Sequence, residues 1–270
     1  MRRIRAGAHS GCSPPRHRLN LADLTFVVLT KDEERQLDGC LRSLPDGAQS
    51  LVYDAESRDG TIGVAIARGA DVVIRPWAGF AAARKAAAAS ARTSWVFMLD
   101  ADERLTLELH EELALLDPPA DVEAYSVARR NFFCGRWIRG AGWWPDRLVR
   151  LFRNGRAVIS ARHIESVSSV HETWRVEGRC LPLGAALEHH SYPTVQVYRE
   201  KFARYTALEA NGMRGRVSIA SAIVAWVIAP VRALWLLIAR VGIIDGWRGA
   251  YVSIASACYP AVVRWKALRR

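Results

Sequence analysis

Between Leu24 and Leu116 the 270-residue chain alternates between two periodicities, and this limits its fold more than any other feature. Thr25-Phe26-Val27-Val28-Leu29-Thr30 is a short, β-rich apolar run, and residues 33–44 follow with Leu37, Cys40, Leu41 and Leu44 at helical spacing. Residues 50–54 read as a second strand, 61–68 as a helix and 70–74 as a third strand. The alanine-rich stretch 80–92 has high helix propensity, 95–99 is a fourth strand, and 105–116 is a helix stopped by Pro118-Pro119. The alternation predicts an α/β protein with a mostly parallel sheet and helices on both faces. Ligands in such sheets bind beyond the carboxyl ends of the strands.

Acids collect at those ends. Val96-Phe97-Met98-Leu99 runs directly into Asp100-Ala101-Asp102-Glu103. Carboxylates repel one another and resist burial, so such a cluster calls for a cation or for donor groups. Hard oxygen ligands suit Mg2+ or Mn2+, which in turn suit a diphosphate. The alternative is a solvated turn in which Asp102 or Thr106 caps the next helix and Glu103 is a helix-start acid. Asp54 ends the second strand, and Thr30 and Lys31 end the first. Asp54 can accept from a base or ribose group; the competing reading is an Asx-type turn supported by Ser57, Asp59 and Gly60.

The net charge of +11 belongs to the two ends of the chain. Residues 1–20 carry +5 and residues 199–270 carry +9, leaving −3 for the body between them. That distribution argues against a nucleic-acid-binding core, because no basic cluster is interleaved with aromatics there. Together with the apolar runs after Arg216, it favours an anionic membrane surface as partner. The five cysteines form no CxxC or CxxH pair, which suits reduced thiols and suggests no zinc site. The N-terminal arginines precede no apolar run of secretory-signal length.

The middle third is less regular, with strands at 122–129 and 148–152 around a Gly- and Trp-rich loop, 135–146. From Thr194 the chain reads as helical, ending in two apolar helices at about 217–240 and 247–266. Their longest uncharged stretches, 217–231 and 249–263, fall short of the roughly 20 residues that span a bilayer. Pro230, Arg232, Asp245 and Pro260 interrupt them further. They are expected to be interfacial or re-entrant, with Trp226, Trp235, Trp247 and Trp265 near the headgroups. The alternatives are a helix pair packed on the domain or in a dimer interface, and a hairpin crossing the membrane. The expected organisation is a disordered basic tail (1–22), an α/β domain (23–193) and a helical, membrane-associated region (194–270).

An ordered series of motifs adds a family resemblance. Leu29-Thr30-Lys31-Asp32-Glu33-Glu34, Tyr53-Asp54-Ala55-Glu56-Ser57-Arg58-Asp59-Gly60-Thr61 and Asp100-Ala101-Asp102 resemble the family-2 glycosyltransferases of the GT-A (Rossmann-like) fold. Arg129-Arg130-Asn131-Phe132-Phe133-Cys134-Gly135-Arg136-Trp137-Ile138, Gly142-Trp143-Trp144-Pro145-Asp146, Arg150-Leu151-Phe152-Arg153 and Val170-His171-Glu172 are similar to the lipopolysaccharide-core β-1,4-glucosyltransferase family. His189-His190-Ser191-Tyr192 and Gly242-Ile243-Ile244-Asp245-Gly246-Trp247-Arg248-Gly249 extend the likeness over about residues 24–268.

The resemblance implies sugar transfer from a nucleotide donor, UDP-linked, to a lipid-linked saccharide acceptor at the cytoplasmic face of the inner membrane, by a peripheral or monotopic enzyme. It implies a divalent metal ion on Asp102, with Asp100 and His171 as further ligands. Thr30, Glu33, Asp54, Arg84, Asp100 and Arg150 would form the donor site. An inverting displacement needs a base for the acceptor hydroxyl; Asp146 is the candidate and Glu172 the alternative. Three departures bear on the donor: Asp32 for the usual Asn, Ala55-Glu56 for Ser-Gly, and Ala83-Arg84-Lys85 for Gln-Lys-Asn. Two rival readings are a polyprenyl-phosphate sugar transferase and a non-catalytic membrane-surface scaffold on a decayed transferase domain.

Overall fold

The computed structural model describes residues 18–161 and 172–269. The first half follows the expected alternation: β1 (Leu24–Thr30), α1 (Glu34–Arg42), β2 (Gln49–Asp54), α2 (Thr61–Ala67), β3 (Asp71–Ile74), α3 (Phe80–Ser90) and β4 (Trp95–Asp100). Next come β5 (Glu103–Arg104), α4 (Leu107–Leu115), β6 (Val122–Phe133), β7 (Arg136–Trp137), β8 (Asp146–Arg153), β9 (Ala157–Ala161), β10 (Glu172–Val176) and β11 (Arg179–Tyr192). The chain closes with α5 (Val195–Met213), α6 (Ile219–Ile238) and α7 (Gly246–Leu268).

The main sheet has the order β3-β2-β1-β4-β8-β6-β11-β5, with β7 paired to β6. The expectation of a mostly parallel sheet needs correction. The half from β3 to β4 is parallel, but β8 runs antiparallel to both β4 and β6, and β5 antiparallel to β11. The sheet is therefore mixed, because the chain re-enters it beside β4 from the opposite direction.

Strands β1 and β4 are covered on both faces, which is why they read as continuous apolar runs. Leu24, Phe26 and Val28 point with Phe97 and Leu99 towards Leu37, Ala65 and Leu109 of α1, α2 and α4. Val27, Leu29, Val96 and Met98 point the other way, towards Ala83 and Ala87 of α3 and Trp174 of β10. Helices thus lie on both faces, with the β9–β10 hairpin beside α3.

Two boundaries shift from the expected organisation. Leu19 is buried and donates its N–H to the Leu116 carbonyl at 2.7 Å, and Asn20 caps a 3-10 turn over Leu21–Asp23. The domain therefore begins before residue 23; residues 1–17 of the expected tail lie outside the described residues. The helical region is also not separate from the α/β domain. Phe133, Ile138, Ala141, Tyr198 and Val252 share one core. The buried Asp245 accepts from the backbone N–H groups of Arg139 and Gly140 at 2.9 and 2.7 Å.

Close backbone approach makes this junction sensitive to size. A Cβ on Gly249 would lie 1.9 Å from the Gly242 carbonyl oxygen, whereas one on Gly63 in α2 would meet nothing. Gly249→Ala should cost about 3 kcal/mol or more, lowering Tm by roughly 6–12 °C. Gly63→Ala should instead stabilise by about 0.4–1 kcal/mol. Thermal melts of the two variants check both signs.

Helix α6 runs unbroken through Pro230 and Arg232 for 20 residues, with a mean hydropathy of 2.0 and only 17% of its apolar window buried. It is long and apolar enough to cross a membrane, so the interruptions seen in the sequence do not divide it.

Candidate active site

Parallel pairing places the ends of β1, β2 and β4 side by side, with Thr30 opposite Asp54 and Leu29 opposite Asp100. Asp54 is fully buried. It accepts from the Thr30 hydroxyl at 2.9 Å, the Ser57 N–H at 2.7 Å and the Ser57 hydroxyl at 2.6 Å. The Asx-type turn is what forms, and the carboxylate presents no open face. Thr30 and Asp54, both expected in the donor site, are engaged with one another and hold the loop that follows.

That loop is tied to the start of α1. Ser57 Oγ accepts from the Asp32 N–H at 2.8 Å, Asp32 accepts from the Arg58 N–H at 2.8 Å, and Asp59 accepts from the Glu34 N–H at 3.1 Å. Asp32 and Glu56 have φ of 54° and 57°. Asp tolerates this left-handed conformation much as Asn does. At Glu56 a Cβ in this conformation costs about 1–2 kcal/mol.

Around Asp100 and Asp102 the structure builds a ring of alternating charges. One Asp100 oxygen accepts from Arg84 at 2.7 Å and the other from Arg150 at 2.9 Å. Arg150 also binds Glu103, which accepts from Arg129 at 3.3 Å and from the Asp100 N–H at 3.0 Å. Arg129 Nε reaches Asp146 at 2.9 Å, and Asn131 Nδ2 donates to the same carboxylate at 3.3 Å. Asn131 Oδ1 lies 2.6 Å from His189 Nδ1, and His189 Nε2 lies 3.4 Å from Asp102. Asp102 accepts from the Ser191 hydroxyl at 2.8 Å and from Lys201 Nζ at 3.4 Å.

Burial alone would raise the Asp100 carboxyl, but the Arg84 and Arg150 guanidinium groups together hold it well below the usual range. Burial opposes ionisation of Asp102 as well, and the neighbouring His189 and Lys201 overcome it. Glu33 is different. Burial, then the charges of Asp102, Asp100 and Asp59, raise it to about 7, with Lys201 opposing.

A carboxyl whose folded value lies above its unfolded one stabilises the fold most below the unfolded value. That contribution disappears as pH rises through the folded value. Measured without metal, the stability of the native protein relative to Glu33→Gln should therefore fall between about pH 4.5 and pH 7 and level off above. Denaturant melts across that range check it; a flat difference would show that Glu33 titrates normally.

The other charged side chains of this region are engaged with one another or with the backbone. Arg150 is only 2% exposed and pairs with Asp100 and Glu103, so it organises the acids at the strand ends. Glu103 is a fully buried ion-pair partner on β5, not a helix-start acid; Thr106 caps α4, accepting from the Leu109 N–H at 3.3 Å. Asp146 sits in an ion pair with Arg129. Arg147 and Arg153 bind backbone carbonyls, of Leu183 at 3.0 Å and of Val122 at 3.0 Å. Arg84 stands beside Asp100 and keeps a buried Nε–H without a hydrogen-bond partner among the described residues. His171 lies outside the described residues, as does the side chain of Glu172 on β10.

Arg129, Asn131, His189, Ser191 and Lys201 were not predicted as site residues. A period-2 signal existed for two pairs, since 129 and 131 share one face of β6 and 189 and 191 one face of β11. Nothing marked Lys201.

Among the described residues, no three His, Cys, Asp or Glu side chains converge as a ready-made metal cage. Asp100 and Asp102 nonetheless suit an ion such as Mg2+, which uses one or two carboxylates and completes its shell with substrate phosphates and water. The raised Glu33 records the surplus negative field at that point.

A parallel half-sheet with acids at its strand ends, continued by a mixed half that carries further polar groups, is the architecture of a GT-A glycosyltransferase. The model of glycosyl transferase family 2 matches residues 25–175, more than half of the chain, and the protein belongs to that family. An uncharacterized glycosyltransferase of Mycobacterium bovis is 30% identical over 70% of this chain and 83% of its own length. The lipopolysaccharide core biosynthesis glycosyltransferase LpsC of Rhizobium meliloti is 28% identical over 70% of each chain. A TPR repeat-containing protein of Synechococcus elongatus is 39% identical over 50% of this chain, which spans only about a third (32%) of that protein.

Among solved structures, S. aureus TarS 1–349 in complex with UDP-GlcNAc matches with a TM-score of 0.43 and 14% identity over 71% of this chain and 66% of that one. Glucosyl-3-phosphoglycerate synthase of Mycobacterium tuberculosis, solved with Mn2+, UDP and glucosyl-3-phosphoglycerate, matches with a TM-score of 0.33 and 23% identity. That match covers 42% of this chain and 44% of the other.

Proposed function

We propose that this glycosyltransferase is a metal-dependent, inverting enzyme that moves a hexose, glucose from UDP-glucose, onto a lipopolysaccharide-core or related glycolipid acceptor. The observation that carries this is the Asp100–Asp102 pair at the end of β4, flanked by Arg84 with an uncommitted Nε–H. Asp102 and Asp100 would hold the divalent ion, Mn2+ or Mg2+, which when bound neutralises charge on the departing nucleotide. Arg84, with part of its side chain open to solvent, is placed to bind the diphosphate. Lys201, His189 and Ser191 fix the orientation of Asp102.

The acceptor hydroxyl attacks the anomeric carbon opposite the diphosphate and gives its proton to a carboxylate. Asp146 suits that role once Arg129 releases it, because Arg129 retains Glu103 as a second partner. Glu172 is the alternative base. The relative named for lipopolysaccharide core biosynthesis supports the acceptor class. The basic, apolar C-terminal helices support placement at the cytoplasmic face of the inner membrane.

A screen of sugar nucleotides, with lipid A-core and polyprenyl phosphate as acceptors, tests the reading. Transfer from UDP-glucose to the core acceptor, dependent on Mn2+ or Mg2+, is the expected result. Transfer only to polyprenyl phosphate would favour that rival. Absence of both donor and metal binding would favour a scaffold.

A further inference from the structure

We infer that α6 lies in the plane of the membrane, half-immersed along its whole length, and does not cross it. The inference rests on the membrane-surface placement proposed above and adds the orientation.

By composition α6 passes for a span: 20 residues, mostly apolar, about 30 Å at 1.5 Å per residue. Its exposed large apolar side chains run from Trp226 through Ile223, Val227 and Val231 to Ile228 and span about 200° of the helix circumference at 100° per residue. Ala222, Ala229 and Leu236 on the other side are buried. Arg232, the one charged residue in α6, falls outside the apolar arc.

The neighbours of α6 decide between span and surface. Helix α7 lies between α6 and α5. On one side, Ile254 and Cys258 of α7 line an apolar groove of about 410 Å³ with Trp226, Pro230 and Leu234 of α6. On the other side, α7 packs against α5 along nearly its full length. Tyr251 meets Tyr198 at 5.5 Å, Tyr259 meets Phe202 at 5.4 Å and bonds Glu209 at 2.9 Å, and Lys266 reaches Thr206 at 2.8 Å.

Helix α5 is not a membrane helix: Arg199, Glu200 and Arg204 are exposed on it. A bilayer normal along α6 would carry those charges into hydrocarbon beside it, where ionised groups are costly. The end of α6 nearest the α/β domain is also held, since the Ala141 N–H donates to the Arg240 carbonyl at 2.8 Å. Rotating the normal by a quarter turn removes the conflict with the α5 charges. The apolar arc then faces lipid, α7 lies behind it, and α5 faces water.

Charge fits a bilayer better than a second copy of this chain. From Arg214 onward there are nine Lys and Arg against one acid, Asp245, and that acid is buried. Two copies meeting through this region would repel, whereas anionic headgroups would attract it. Trp235, Trp247 and Trp265 are exposed, as suits residues at the headgroup level.

The test uses the full chain with vesicles of phosphatidylglycerol and phosphatidylethanolamine in equal parts. Flotation reads binding. Spin labels on Ile223→Cys, Val227→Cys, Val231→Cys and Ile238→Cys, in a background without native cysteines, read depth from the ratio of oxygen to nickel-chelate accessibility. The expected result is flotation, a ratio constant within about twofold at the four sites, and a label on Arg199→Cys that stays in water. Flotation with a ratio peaking several-fold at Val227 and Val231 would establish a span, overturning the inference while sparing the membrane placement. Failure to float, or a lipid-free dimer that buries the four labels, would overturn both. Sugar-nucleotide turnover, measured separately, keeps these outcomes distinct from failure of the enzymatic reading.

Discussion

Asp102→Asn should reduce transfer by at least about 10²-fold while the protein remains folded. The amide matches the carboxylate in size and still accepts from Ser191, so the packing beneath it survives. The negative charge that faces Lys201 and His189, and that would hold a cation, is lost. A second consequence separates this variant from a merely damaged one. Asp102 is the foremost charge raising Glu33, so its neutralisation should let the Glu33 carboxyl fall from about 7 towards its usual 4.5. The pH-dependent stability difference attributed to Glu33 should shrink with it. Turnover assays, metal-dependent UDP binding and melts across pH read the three effects. Retained transfer would remove Asp102 from the metal site.

Glu103→Gln should damage the fold itself. Glu103 is fully buried and shared by Arg150, itself buried, and Arg129, which is partly buried. Removing its charge leaves Arg150 to Asp100 alone and Arg129 to Asp146 alone. Breaking a buried pair in this way typically costs about 3–5 kcal/mol. Urea unfolding should show that loss, and activity should fall even where the variant is folded, because Asp100 and Asp146 must then neutralise two arginines unaided. A cost under about 1 kcal/mol would mean that solvent reaches this cluster.

The parallel half of the sheet was legible because each strand is short, apolar and followed by a helix of matching period. β1 and β4 differ from their expected bounds by a single residue. The mixed half hides its strands. β5 is two residues long, and β11 contains Pro182 and Gly184 within an irregular register, so neither reads as a strand by pattern. Their pairing opposes His189 to Glu103, and this brings the two halves of the site together. Asp146 was singled out for the loop before it, but its partner Arg129 emerges only from the register of β6 against β8. Thr106 and Asp54 show the opposite case, where ordinary cap and turn chemistry described the local structure correctly.

The two arginines on Asp100 differ in kind. Arg150 is enclosed by the sheet, whereas Arg84 comes from α3 with 18% of its side chain open to solvent. One is a permanent counter-ion and the other a detachable one. On the proposed function, an arriving diphosphate would draw Arg84 away without leaving Asp100 uncompensated, because Arg150 stays in place. On that reading the fold would thereby keep in reserve, held in an ion pair, a positive charge for the incoming donor.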